Sequence, residues 1–160
     1  MKNNLHKMHS GFGIKYPLAK ETINQDDVNA LIDWLKTNPR LTMAELTEEF
    51  EQKWANYIGT KYAVFTNSGS SANLLMINTL IQSGKLKSKK IIVPAVSWST
   101  TISPIIQFGY EPIMVDADEK TFGIDLDQTE ELLKNGDIGG IIFVQVLGVP
   151  HYKEELLKLS

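Results

Sequence analysis

An α/β fold, with a mostly parallel, doubly wound sheet and a helical N-terminal extension, is predicted for this 160-residue chain by three observations. From residue 61 onward, short apolar runs alternate with longer segments of helical character, giving the order β-α-β-α-β-α-β-α. Two of the runs, Ile91-Ile92-Val93-Pro94 and Gly140 to Val146, are apolar at successive positions, as expected where helices cover both faces of a parallel sheet. Before residue 60 the hydrophobic residues recur at helical spacing instead.

Residues 1–20, with Gly11, Gly13, Pro17 and scattered polar groups, read as an irregular arm that must dock on something else to be ordered. A first helix is expected from Asp26 to Lys36, ending near Asn38-Pro39 because proline disfavours helical geometry in the residue before it. A second should start at Thr42, with Glu45 completing a capping box, and present Met43, Leu46, Phe50, Trp54 and Tyr57 along one side until Gly59 caps it. The alternating part then predicts strands at 62–66, 90–93, 112–115 and 140–146, and helices at 70–82, 98–108, 126–135 and 151–159. Residues 1–60 are thus the arm and helices, and residues 61–160 the first part of an α/β domain. The last helix has no following strand, which would leave an apolar face uncovered, so a truncated domain is expected.

A composition of 42% hydrophobic and 22% charged residues is that of a soluble globular protein. The net charge of −3 gives no electrostatic reason to expect nucleic acid or an anionic membrane as partner. The absence of cysteine excludes disulfides, thiolate chemistry and cysteine-ligated metal within the chain. Neither a signal-peptide core nor a stretch of about 20 apolar residues is present, so a cytoplasmic protein is expected. Lys85, Lys87, Lys89 and Lys90 form the one charge run, read as a solvated loop because no aromatic residues interleave with it.

In open parallel sheets, ligands bind outside the carboxyl ends of the strands, where three turns have suggestive content. Asn67-Ser68-Gly69-Ser70-Ser71-Ala72 joins a strand to a helix. Its first amides have no partner within the helix and lie at the positive end of the dipole, so they suit a phosphate. Gly69 lets the backbone approach, and the hydroxyls of Ser68, Ser70 and Ser71 either add donors or simply cap the helix. In the second turn, Val93 to Thr101, Trp98 emerges just beyond a strand and either lies flat against an aromatic ligand or serves as a core or rim aromatic. The third, Val115-Asp116-Ala117-Asp118, carries two carboxylates able to ligate Mg²⁺ or Mn²⁺, or else to solvate a loop and cap the segment after it. His6, His9 and His151 have no evident partners, and no Ser–His–Asp arrangement can be assembled.

Taken together, these stretches resemble the amino-terminal part of the DegT/StrS family of pyridoxal-phosphate enzymes acting on nucleotide-linked sugars. The likeness is closest to the GDP-4-keto-6-deoxymannose 3-dehydratase branch. It rests on Tyr16-Pro17-Leu18-Ala19, Arg40-Leu41-Thr42-Met43, Glu49-Phe50-Glu51, Lys61-Tyr62-Ala63-Val64, Asn67 to Ile77, Val93 to Thr101, Val115 to Asp118 and Leu147-Gly148-Val149-Pro150. The second turn and the Asn67–Ile77 stretch are the specific ones. The resemblance implies the large domain of the aspartate-aminotransferase type, fold type I. It implies pyridoxal 5'-phosphate or pyridoxamine 5'-phosphate as cofactor, a nucleotide-sugar substrate, glutamate as amino donor and a homodimer.

By resemblance, Gly69, Ser70 and Ser71 would bind the cofactor phosphate and Trp98 would stack on its ring, with no metal and no catalytic residue in this chain. The aspartate facing the pyridinium nitrogen, and the lysine (a histidine in the dehydratase branch) beside the cofactor, would lie beyond Ser160. The family usually has Met-Gly where this chain has Met43-Ala44. The implied activity is that of a sugar 3-dehydratase, with an aminotransferase of the same family as alternative and surface-polysaccharide or lipopolysaccharide synthesis as setting. The isolated chain is expected to be inactive. Two further readings stand beside these: a metal-dependent glycosyltransferase using Asp116 and Asp118, and a non-catalytic folding or dimerisation remnant.

Overall fold

The computed structural model describes residues 22–149 and Glu154. The arm, its histidines, and all but one residue of the predicted last helix lie outside the described residues. The chain divides into two units, residues 1–63 and 64–160.

The described part of the first unit is two helices, α1 (Gln25–Lys36) and α2 (Glu45–Ile58). The start of α1 is fixed by a reciprocal cap: Asn24 Oδ1 accepts from the amides of Asp26 and Asp27 at 2.7 and 3.2 Å, and Asp27 returns a carboxylate to the Asn24 amide at 2.9 Å. It stops at Lys36, and Asn38 then takes a positive φ of 53° before Pro39. The predicted box on Thr42 does not form. Its hydroxyl accepts from Arg40 Nε at 2.8 Å, and α2 begins three residues later behind Ala44, which offers no side-chain cap. Gly59 closes α2 with φ 76°, a conformation that a Cβ would strain. The predicted apolar side of α2 is present, with Phe50 stacked on Trp54 at 6.2 Å and Trp54 against Tyr57 at 5.7 Å. Leu46, Phe50, Trp54 and Tyr57 are all exposed.

The second unit is a parallel three-stranded sheet of order β2-β1-β3. It comprises α3 (Gly69–Gln82), β1 (Lys90–Pro94), α4 (Ser99–Gln107), β2 (Glu111–Val115), α5 (Leu126–Asn135) and β3 (Gly140–Ile141). The central strand is buried from Ile91 to Pro94, and its pleat divides the core in two. Ile91 and Val93 pack with Ile77 of α3 and Ile105 of α4. Ile92 packs with Val115 and Ile124, with Leu126, Leu132 and Leu133 of α5 around them. Helices therefore cover both faces, as the apolar run predicted. At the start of β3, Gly139 donates to Lys90 O at 2.8 Å, and the Ser88 backbone lies so near that a Cβ at Gly139 would collide with it. The four lysines at 85–90 are exposed, as expected of a solvated loop.

Two predicted strands need correction. Residues 62–66 belong to no strand among the described residues: they pair with none of the three strands, and Tyr62, Val64 and Phe65 stand exposed. The run 140–146 pairs only at Gly140–Ile141 and, through the Ile142 amide, with Ile92 O at 2.8 Å. The even-numbered residues of β1 face β3, so the next rung would need an N–H from Pro94, which has none. The ladder stops there, and a 3₁₀ turn at Val146–Gly148 comes next.

Candidate functional site

The parallel strands place their carboxyl ends on one rim. Ala95 N–H donates to Val115 O at 2.8 Å, bringing the chain leaving β1 beside the end of β2. The amino-terminal turns of α3 and α4 meet nearby, where Asn73 Nδ2 donates to Thr100 O at 3.3 Å. The first two turns singled out in the sequence are thus brought to adjoining helix starts.

At α3, Ser68 is the N-cap. Its Oγ accepts from the Ser71 amide at 3.1 Å and donates to Ser71 Oγ at 3.1 Å, while its carbonyl accepts from Ala72 N at 3.0 Å. The amides of Gly69 and Ser70 donate to no group among the described residues. No atom lies within 4 Å of a Cβ built on Gly69, so this glycine is not demanded by protein packing. A partly capped helix start with two free amides, open space and adjacent serine hydroxyls suits a phosphate dianion.

Trp98 is the N-cap of α4 and donates no side-chain cap bond. It is 77% exposed, so burial in the core does not account for it. Beside it, Ser97 Oγ is buried with no hydrogen-bond partner among the described residues, an unmet polar atom at the base of the indole-bearing turn. Free amides at one helix start, a bare indole at the other, and an orphaned hydroxyl between strand and indole fit a phosphorylated heteroaromatic group.

Asp118 is committed to its own loop. Its Oδ1 accepts from the Lys120 amide, the Thr121 amide and Thr121 Oγ1 at 3.0, 2.8 and 2.9 Å. The Thr121 amide foremost, then its hydroxyl, holds this carboxyl below the usual aspartate range. Asp116 Oδ1 accepts from the Ala117 amide at 2.7 Å, and the Asp116 amide donates to Gln128 at 3.2 Å. No group of three potential metal-ligating residues occurs among the described residues. One oxygen of each carboxylate is thus engaged by its own loop.

Because the folded-state pKa of Asp118 is depressed, the stability it confers is present above the ordinary value of 3.8 and is lost as pH falls through the lower, folded value. Urea midpoints measured between about pH 5 and pH 2 should show a steeper acid-side decline in the wild type than in Asp118→Asn. Parallel declines would contradict this role.

Sequence reasoning gave Asn73 no role and read Ser97, with its neighbouring serines, only as an anion donor or cap. An asparagine one turn into a helix carries no signal by itself, and an orphaned hydroxyl becomes visible only once burial is known.

No described helix is long and apolar enough to cross a membrane. The model of the DegT/DnrJ/EryC1/StrS aminotransferase family matches residues 21–160. The chain is 39% identical over 150 residues to GDP-4-keto-6-deoxy-D-mannose 3-dehydratase of Yersinia pseudotuberculosis, covering 92% of this chain and 38% of the relative. A solved Escherichia coli GDP-4-keto-6-deoxy-D-mannose-3-dehydratase with bound hydrated PLP superposes with a TM-score of 0.81 at 39% identity, over 90% of this chain and 37% of that one. The 3-oxo-glucose-6-phosphate:glutamate aminotransferase of Bacillus subtilis is 34% identical over 109 residues, covering 68% of this chain and 24% of the relative. The chain thus spans well under half the length of these relatives.

Proposed function

Since the chain belongs to the DegT/DnrJ/EryC1/StrS aminotransferase family, we propose that it supplies the cofactor cradle of a sugar-modifying enzyme. The cofactor is pyridoxal or pyridoxamine phosphate, and the substrate is a nucleotide-linked 4-keto-6-deoxy sugar dehydrated at C3. One observation carries the reading: the contact from Asn73 to Thr100 joins the helix start with two open amides to the helix start that bears an exposed indole. The 39% identity to a GDP-4-keto-6-deoxy-D-mannose 3-dehydratase supports the choice of substrate class.

The amides of Gly69 and Ser70, with the hydroxyls of Ser70 and Ser71, bind the phosphate. Trp98 would stack on the ring and shield it from water. When bound, the cofactor supplies an electron sink for loss of the sugar hydroxyl. Proton transfer is assigned to no residue of this chain, whose carboxylates at the rim are engaged by their own loop. Glutamate serves as amino donor, two copies form the enzyme, and the reaction belongs in the cytoplasm. Transamination of a related sugar is the second reading, favoured by the 34% identity to a glutamate-dependent aminotransferase.

Pyridoxamine phosphate titrated into the chain should give a saturable absorbance change that inorganic phosphate competes away. A change insensitive to phosphate, or dependent on added Mg²⁺ and a nucleotide sugar alone, would contradict the cradle and favour the metal-dependent alternative.

A further inference from the structure

We propose that Asn73 is a positioning residue that ties the phosphate-binding helix to the indole-bearing helix through a carbonyl that Pro104 leaves open. In an α-helix the carbonyl of residue i accepts from the N–H of residue i+4. For Thr100 that residue is Pro104, buried inside α4 and without an N–H. The carbonyl it forgoes is the one to which Asn73 Nδ2 donates at 3.3 Å, across 27 residues of sequence.

A proline in a helix interior ordinarily costs stability, in part because it strands this acceptor. Here the stranded acceptor is turned outward to a neighbouring helix and is met by a side chain one turn into α3. Thr100 lies two residues after Trp98, and Asn73 lies three after Ser70, so the bond is anchored within a turn of each ligand-facing group. The bond fixes the separation between phosphate donors and indole, the one distance to which a ligand held at both ends is sensitive. The inference rests on reading the two turns as one cofactor site.

The proline makes the role separable from mere stability. Asn73→Ala alone strands the Thr100 carbonyl and should lower the melting temperature as well as the affinity for pyridoxamine phosphate. Adding Pro104→Ala gives that carbonyl a helical donor again, so Asn73→Ala/Pro104→Ala should regain melting temperature relative to Asn73→Ala while its affinity stays down by about tenfold or more. The Pro104→Ala single variant controls for lost packing.

A readout independent of cofactor comes from Ala72→Cys/Ser99→Cys, a unique pair of exposed labelling sites in a chain that has no cysteine of its own. Spin-label distances between them should be narrowly distributed with Asn73 and Pro104 in place, and broad with both replaced by alanine. An unchanged distribution in the double replacement would overturn the tether. Broadening in a protein that binds no pyridoxamine phosphate even with Asn73 and Pro104 intact would uphold the tether and overturn the cofactor reading.

Discussion

Trp98→Ala is expected to weaken binding of pyridoxamine phosphate about tenfold while leaving the melting temperature unchanged. The indole is 77% exposed and contributes no capping bond to α4, so the fold loses little when it is removed. A ligand ring stacked on it would lose one face of contact, and stacking between aromatic planes is worth about 0.5–1.5 kcal/mol beyond the area covered. Adding the apolar area uncovered brings the loss to about 1.4 kcal/mol or more, which is a factor of about ten. Trp98→Phe should recover most of the affinity, since it restores a flat face. Equal dissociation constants for wild type and Trp98→Ala, read from absorbance titrations, would remove the indole from the site. A large fall in melting temperature would assign it to the fold instead.

Ile92→Ala should produce the largest loss of stability among single substitutions in the sheet. Ile92 lies in the central strand, is fully buried, and packs with Val115 and Ile124 against the α5 side. Truncating a buried isoleucine to alanine costs about 2–5 kcal/mol, against a total of about 5–15 kcal/mol for an ordinary domain. With a urea dependence of about 1–3 kcal/mol per molar, the midpoint should drop by at least about 0.7 M, and cooperative unfolding is expected to disappear at the upper end of that cost. Met114 on β2 is 61% exposed and serves as the comparison: Met114→Ala should change stability by no more than about 0.5 kcal/mol. Similar midpoints for the two variants would show that the central strand does not carry the core.

What the sequence revealed of this fold depended on whether the signal was local. The uninterrupted apolar run at 91–94 identified a strand covered on both faces, and α3 and α5 start within a residue of their expected positions because Ser68 and Asp125 are ordinary caps; α4 does so without a side-chain cap. Tyr62 to Thr66 has the composition of a strand, but a strand also needs a neighbour, and composition does not say which edge is free. The shortening of β3 traces to Pro94 in a different segment, so nothing within 140–146 announced it. At Thr42 the capping pattern was present, yet Arg40 claimed the hydroxyl, a competition that spacing rules do not weigh. In the site, the serines and Trp98 were legible because each stands in a turn after an apolar run. The link between them was not, since Asn73 and Pro104 acquire meaning only when their helices are side by side.

Heteronuclear NMR of the chain titrated with pyridoxamine phosphate tests most directly whether the two helix starts hold one ligand. The account predicts that the largest amide shifts fall at Gly69 and Ser70, and that the indole protons of Trp98 give cross-peaks to the pyridine methyl in the same complex. Shifts confined to other residues, or a bound ring with no cross-peak to Trp98, would contradict it.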